Sequence, residues 1–218
     1  MTRIASFTVN PFYENTYIIY DETGDCVVVD PGCYTKEEKE ELADFIAKNK
    51  LNPKYLINTH CHVDHVLGNH FISDSYKVPL LMHKGEIPVL ENVSVYAPSM
   101  GIYYEPSPEP EIFVEEGDIV KFGNTELKVF FTPGHSPASV CFYCEKDKFI
   151  VSGDVLFFDS IGRTDLPGGN YKTLINSIQT KLLVLPDEIK VYAGHMQSTT
   201  IGRERKLNPF INGSFGEE

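Results

Sequence analysis

Short apolar runs bounded by glycine, proline, asparagine and aspartate recur along this chain, and this pattern predicts β-strands. The chain opens with a predicted β-meander, whose strands cover residues 4–9, 16–20 and 26–30. Thr35 and Glu38 have the spacing of a capping box, and the apolar positions after them predict a helix over residues 36–49. The rest of the first half predicts shorter elements: strands over 55–58 and 79–82, a helix over 66–74 and a loop over 97–110.

The second half repeats the order of the first. It begins with four predicted strands, over residues 119–122, 126–131, 139–144 and 149–153. A helix is then predicted over 171–183, which Pro186 stops, and a last strand over 189–193. Each half therefore consists of a β-meander followed by a helix and a further strand. This repeated order predicts two packed β-sheets with helices on the outside. We therefore expect one domain over residues 1–218, with halves of about 1–115 and 116–211.

The charge balance narrows the classes of partner. Lys and Arg total 19 against 31 Asp and Glu, which gives a net charge of −12. Nucleic acids and anionic membranes attract basic surfaces, so we expect neither as a partner. No apolar run reaches the roughly 20 residues of a membrane span, and no signal-peptide pattern is present. The five cysteines do not resemble a disulfide framework, so we expect a reducing, cytoplasmic setting. We expect the protein to be a monomer or a homodimer.

Polar clusters follow directly after several predicted strands. They are His60-x-His62-x-Asp64-His65, His135 after Thr132-Pro133-Gly134, Asp154 after Ser152-Gly153, and His195 after Ala193-Gly194. Strand ends of packed sheets lie at one edge of a fold, so we expect these side chains to converge.

The first cluster has a spacing suited to metal ions. Alternate residues of an extended segment point the same way, so His60 and His62 can reach one ion together. Asp64 and His65 follow where the chain turns and can reach a second ion. Imidazole and carboxylate ligands suit zinc, iron or manganese. Five histidines and two aspartates match the ligand number of two ions ~3.5–4 Å apart.

On these motifs the sequence resembles the metallo-β-lactamase superfamily over nearly its whole length. The resemblance implies an α/β fold, a four-layer αβ/βα sandwich of two mixed β-sheets with helices on the outer faces. It also implies the ligands: His60, His62 and His135 for the first metal, Asp64, His65 and His195 for the second, and Asp154 bridging both. Asp30, followed by Pro31-Gly32, matches a superfamily aspartate that orients the metal loop through hydrogen bonds.

Two further segments, residues 161–169 and 200–210, are similar to short, single-domain relatives of glyoxalase II (hydroxyacylglutathione hydrolase). This resemblance implies a hydrolase with two divalent metal ions, zinc first, with iron or manganese as alternatives. A metal-bridging hydroxide would cleave an anionic thioester or related ester, with Asp64 accepting the water's proton. Arg163 is a candidate for binding a substrate carboxylate, or else an ion-pair partner of Asp165 or Asp159. Only 23 residues follow His195, too few for the helical domain that holds glutathione in glyoxalase II.

A second function stays open at this point. Persulfide dioxygenases also carry a Gly-Arg-Thr-Asp segment like that at residues 162–165. In that family a single iron ion would be held by His60, His135 and Asp154, a facial triad. Every residue of the second metal set is nevertheless present in this chain.

Overall fold

The computed structural model describes residues 1–213 and contains two mixed sheets. The strands of the first sheet are β1 (Arg3–Val9), β2 (Glu14–Tyr20), β3 (Asp25–Val29), β4 (Asn52–Ile57), β5 (Leu80–Met82) and β6 (Pro110–Phe113). The second half of the chain forms β7 (Ile119–Phe122), β8 (Thr125–Phe131), β9 (Val140–Cys144), β10 (Phe149–Gly153), β11 (Leu156–Phe157), β12 (Ser160–Ile161), β13 (Lys190–Ala193) and β14 (Thr199–Thr200). The sheet orders are β1-β2-β3-β4-β5-β6 and β14-β13-β10-β9-β8-β7, and β11 and β12 pair separately.

The helices lie between these strands in the chain. They are α1 (Lys36–Lys48), α2 (Val63–Val66), α3 (Asn69–Tyr76), α4 (Ile87–Tyr96), α5 (Tyr171–Ser177) and α6 (Ile201–Leu207). One π-type turn, Ile178–Leu182, continues α5, and 3₁₀ turns cover Lys84–Glu86 and Ala97–Met100. The predicted capping box begins α1: the Thr35 hydroxyl accepts a hydrogen bond from the Glu38 amide, and the Glu38 carboxylate accepts one from the Thr35 amide.

Three clusters of buried apolar side chains separate four layers. One lies between the first sheet and helices α1, α3 and α4, and includes Leu42, Ile72 and Val93. A second joins the inner faces of the two sheets. The third packs the second sheet against the α5 face, through Leu174 and Ile178. The prediction of a four-layer sandwich with helices on the outer faces is therefore confirmed.

The two halves share a chain path. Each has antiparallel strands followed by a helix and a parallel strand: β3 pairs in parallel with β4 across α1, and β10 pairs in parallel with β13 across α5. The polar clusters follow the carboxyl ends of four strands, β4, β8, β10 and β13. Within residues 1–213, no helix has the length and apolar character needed to cross a membrane.

Several elements differ from the sequence expectation. The helix predicted over 66–74 is two short helices, α2 and α3, because the chain breaks at Leu67 and Gly68. A Cβ at Gly68 would meet the Pro31 carbonyl and the Cys33 thiol, so the break allows a close approach of two backbones. The predicted loop 97–110 begins with a 3₁₀ turn and its last residue starts β6. Helices α4 and α6 and the short strands β6, β11, β12 and β14 were not predicted.

Candidate metal centre

All the polar clusters predicted from the sequence meet at one edge of the sandwich. The segment from His60 to His65 follows β4 and runs into α2, and His135 follows β8. Asp154 comes directly after β10 and His195 two residues after β13. Their side chains form two adjoining groups, in each of which the candidate ligand atoms lie within 4.8 Å of one another, and Asp30 is equally close to one histidine of each group, His60 and His65.

The first group consists of His60, His62 and His135. Nε2 of His135 lies 2.9 Å from Nδ1 of His62 and 3.2 Å from Nε2 of His60. His60 and His135 are buried. Nitrogens of tetrahedral zinc ligands, each about 2.0–2.1 Å from the ion, are separated by distances of this size.

Hydrogen bonds behind these rings select their tautomers. Nδ1 of His135 donates to the Arg163 carbonyl at 2.8 Å, because a carbonyl can only accept. The Thr59 hydroxyl donates to Asp30 at 2.6 Å and so accepts from Nδ1 of His60 at 3.1 Å. In the neutral rings, Nε2 of both histidines therefore presents a lone pair toward the other. Two lone pairs that face each other repel, unless a cation lies between them.

The second group consists of Asp64, His65 and His195. Oδ2 of Asp64 lies 3.1 Å from Nε2 of His195 and 3.7 Å from Nε2 of His65. Behind His65, Oδ2 of Asp30 accepts a hydrogen bond from Nδ1 at 3.1 Å. The expectation that Asp30 orients the metal loop matches this contact, since Asp30 also accepts from the Thr59 amide at 2.7 Å.

Asp154 lies between the two groups. Its Oδ1 is 3.4 Å from Nε2 of His65, and its Oδ2 is 3.5 Å from Nε2 of both His135 and His195. Asp154 Oδ1 and His65 Nε2 are both buried and make no hydrogen bond among the described residues. A buried acceptor without a partner is costly, so these two atoms fit ligation of a cation.

Burial and the close packing of imidazoles and carboxylates shift the pKa values of the histidines in both groups. Burial and the neighbouring imidazoles lower the pKa of His60 well below its usual range, and burial lowers the pKa of His62 to about 4. Burial alone would also lower the pKa of His65, but the carboxylates of Asp154 and Asp64 raise it well above the usual value. Neutral imidazoles in the first group and carboxylates around the second form a donor set that binds divalent metals.

The family model for the metallo-β-lactamase superfamily matches residues 9–195. The chain belongs to this superfamily. The match spans both halves of the sandwich and every candidate ligand. The resemblance on which the fold was predicted is therefore confirmed, together with a His and Asp cluster suited to metal.

The superfamily relatives include enzymes and metal-bound structures. "Hydroxyacylglutathione hydrolase GloC" of Haemophilus influenzae is 36% identical over 223 residues, covering 96% of this chain and 98% of that protein. The crystal structure of the BLEG-1 B3 metallo-β-lactamase superposes with a TM-score of 0.89 at 33% identity, covering 97% of this chain and 100% of the other. The crystal structure of TTHA1623 in a di-iron-bound form superposes with a TM-score of 0.85 at 35% identity, covering 94% of this chain and 99% of the other.

Arg163, the candidate substrate-binding residue, lies beside the first group of this superfamily site. Its carbonyl is the acceptor that orients His135. Its guanidinium makes two hydrogen bonds to the Asp165 carboxylate, at 2.7 and 2.6 Å, and its side chain is 61% exposed. The ion-pair alternative is thus realised with Asp165, while Asp159 pairs with Arg203. An exposed pair of this kind is weak and leaves the guanidinium accessible to a solute anion.

Two buried carboxylates at the site of this superfamily member were not singled out from the sequence. Glu14 is fully buried, and its Oε1 lies 3.9 Å from Nδ1 of His65. Glu86 is also fully buried and accepts hydrogen bonds from the loops that carry the first group. Neither occurs in a motif with metal-ligand spacing, because their partners are distant in the chain.

Proposed function

We propose that the protein is a dinuclear metal-dependent hydrolase that cleaves a thioester or a related ester. The observation that carries the proposal is the position of Asp154, whose carboxylate lies between the two groups: Oδ2 is 3.5 Å from Nε2 of His135 in the first group and of His195 in the second, and Oδ1 is 3.4 Å from Nε2 of His65. A carboxylate between two ligand sets is suited to bridge two ions.

In this proposal each group holds one ion. The ligands of the first ion are His60, His62 and His135, those of the second are Asp64, His65 and His195, and Asp154 is shared. Zinc is the proposed metal because three imidazoles, as in the first group, are a common ligand set of catalytic zinc. Iron is the main alternative, and the di-iron-bound relative supports it. Manganese is the third candidate metal.

When bound, the two ions would supply a water activated at neutral pH and a Lewis acid for the carbonyl oxygen. The protein's own residues supply orientation and a proton acceptor. The Asp64 side chain is slightly more exposed than that of Asp154, 14% against 10%, and we propose that its carboxylate takes the proton of the attacking water. Asp30 and the Arg163 carbonyl fix the imidazole rings, so that the ligand atoms do not reorganise during the reaction.

A thioester is the proposed substrate for two reasons. The leaving thiolate, with a reference pKa of about 8.5, departs without a general acid. The GloC relative, which is similar over almost its whole length, is named a hydroxyacylglutathione hydrolase. The Arg163 carbonyl contacts His135 and its guanidinium is exposed, so we propose that the guanidinium binds an anionic group of the substrate.

The experiment compares metal content and activity. Purified protein should contain two equivalents of zinc, iron or manganese by elemental analysis, and should hydrolyse members of an anionic thioester panel. His62→Ala and Asp154→Ala should lose this activity. Undiminished hydrolysis by Asp154→Ala would exclude the bridging role. A single iron equivalent, together with oxygen uptake on glutathione persulfide, would instead support the alternative persulfide dioxygenase.

A further inference from the structure

The buried carboxylate of Glu86 lies between the two loops that carry the first histidine group. Glu86 ends the 3₁₀ turn after β5 and precedes α4, and its side chain is fully buried. Neither the metal ligands nor the proposed chemistry accounts for a carboxylate at this position. Burying an ionisable group is costly unless hydrogen bonds compensate it.

Within residues 1–213, the hydrogen bonds that the Glu86 carboxylate accepts come from these two loops. Oε2 accepts from the Cys61 amide at 2.9 Å, and Cys61 lies between His60 and His62. Oε1 accepts from the Ala138 amide at 2.8 Å. The Ser136 hydroxyl, next to His135, lies 2.7 Å from each oxygen.

We infer that Glu86 is a positioning residue that sets the spacing between His62 and His135 in the first metal group. The two histidines belong to loops 73 positions apart, and their facing nitrogens are 2.9 Å apart. Cys61 and Ser136 are their immediate neighbours, so the carboxylate ties the loops one residue from each ligand. The inference rests on the proposed function, because it assumes that this group holds a metal.

The second group is tied by a different carboxylate. His65 is held by Asp30, and the Asp64 carbonyl accepts a hydrogen bond from the side-chain amide of Asn10 at 2.9 Å. None of the Glu86 hydrogen bonds described for residues 1–213 goes to Asp64, His65 or His195. Loss of Glu86 should therefore weaken one metal equivalent and leave the other.

Glu86→Gln is the sharpest substitution because it keeps the shape of the side chain. An amide has one acceptor oxygen and one donor nitrogen. In either orientation the new NH₂ group faces a backbone N–H, that of Cys61 or that of Ala138, so one loop loses its acceptor. Ser136→Ala is the second variant, since it removes a donor and leaves the carboxylate in place.

Asp21→Asn is a matched control. Asp21 is also a buried carboxylate that joins two loops: it accepts from the Asn124 amide at 2.6 Å and from the Thr125 hydroxyl at 2.9 Å. It follows β2, at the strand end opposite Glu14 and the metal centre. Its replacement tests whether metal binding changes when a buried carboxylate that joins two loops is lost elsewhere in the protein.

The experiment titrates chelator-treated protein with Co²⁺ and with Zn²⁺ against a chromophoric chelator, and follows the Co²⁺ absorption spectrum. In Glu86→Gln, one equivalent should bind about 10–100-fold more weakly, the usual effect of losing a residue behind a metal ligand. The other equivalent should be unchanged. Ser136→Ala should weaken binding of the same equivalent to a smaller degree. Asp21→Asn should leave the affinity for both equivalents unchanged.

The outcomes separate this inference from the proposed function. Wild-type protein that binds fewer than two equivalents would contradict the dinuclear proposal itself. Wild-type protein that binds two, with folded Glu86→Gln and Ser136→Ala that bind both as tightly, would overturn the positioning role alone. Equal weakening of both equivalents would also overturn it, because the effect would then be general destabilisation.

Discussion

Asp30 and Asp154 contact opposite nitrogens of the same imidazole, that of His65. Oδ2 of Asp30 lies 3.1 Å from Nδ1, and Oδ1 of Asp154 lies 3.4 Å from Nε2. When the ring is neutral, as a metal ligand must be, the first contact holds the remaining proton on Nδ1, which leaves Nε2 with a lone pair for the metal centre. The tautomer of one ring thus depends on a carboxylate outside the ligand set.

Asp30→Asn should remove this control of the tautomer. The asparagine NH₂ would face Nδ1 of His65, so the ring would carry its proton on Nε2 and lose its lone pair toward Asp154. We expect the affinity for one metal equivalent to fall about 10–100-fold, with a matching loss of activity at limiting zinc. The measurement is the same chelator competition in the wild type and the variant.

The weakened equivalent should be the one that Glu86→Gln leaves unchanged. The double variant should therefore bind both equivalents about 10–100-fold more weakly, because the two carboxylates serve different groups and their effects add. Asp30→Asn with unaltered affinity for both ions would contradict the tautomer argument.

Metal removal should lower thermal stability as well as activity. The facing lone pairs of His60 and His135 and the unpartnered oxygen of Asp154 destabilise the folded chain without a cation. With free zinc at 100 times its dissociation constant, one site contributes about 2.7 kcal/mol, or a rise in Tm of about 5–10 °C for a chain of this size.

Differential scanning calorimetry with a chelator and after zinc replacement measures this shift. In Asp154→Ala the zinc-dependent rise in Tm should be smaller, because the variant lacks the proposed ligand of both ions. A wild-type Tm that is equal with chelator and with zinc would show that the cluster binds no metal in the folded state.

Local patterns predicted the parts of the fold that depend on neighbours in the chain. The capping box of Thr35 and Glu38 marks the start of α1, and the candidate ligand clusters are recognisable because each follows a predicted strand. Helix α4 was missed because its sequence, Ile-Pro-Val-Leu-Glu-Asn-Val-Ser-Val-Tyr, is rich in β-branched residues, which do not separate a buried helix from a strand. Its form depends on tertiary packing of Leu90 and Val93.

The supporting residues of the site were harder to predict than its ligands. His60 and His62 carry their signal in their own spacing. Glu86 does not, because its partners are 25, 50 and 52 positions away and two of them are backbone amides, which every residue has. Nothing in the local sequence distinguishes this glutamate from a solvated one at a helix start.

Arg163→Ala tests the role of the guanidinium without disturbing the metal centre. The His135 contact is made by the Arg163 carbonyl, which the substitution keeps. We expect the KM for an anionic thioester to rise up to about fivefold, the value of one exposed ion pair, with kcat and metal content unchanged. Steady-state kinetics with an anionic and a neutral thioester measure the difference.

Asp165→Asn is the matched control for that change. It releases the guanidinium from its partner, so the KM for the anionic thioester should stay equal or fall. If Arg163→Ala and the wild type have the same KM for both substrates, the Arg163–Asp165 pair is structural only.

Gly194 keeps the space that Asp154 needs. A Cβ at Gly194 would collide with Oδ1 of Asp154 and lie 2.7 Å from Cε1 of His65. Gly194→Ala should therefore displace the Asp154 carboxylate, the proposed bridging ligand, and lower both metal affinity and activity, with a cost in stability of about 1–3 kcal/mol. Gly202→Ala is a control of similar crowding, since its Cβ would lie 2.6 Å from Cβ of Asp187, away from the ligands. It should lose stability but retain two metal equivalents. Equal metal affinity in Gly194→Ala and Gly202→Ala would contradict the argument that Gly194 fixes the position of Asp154.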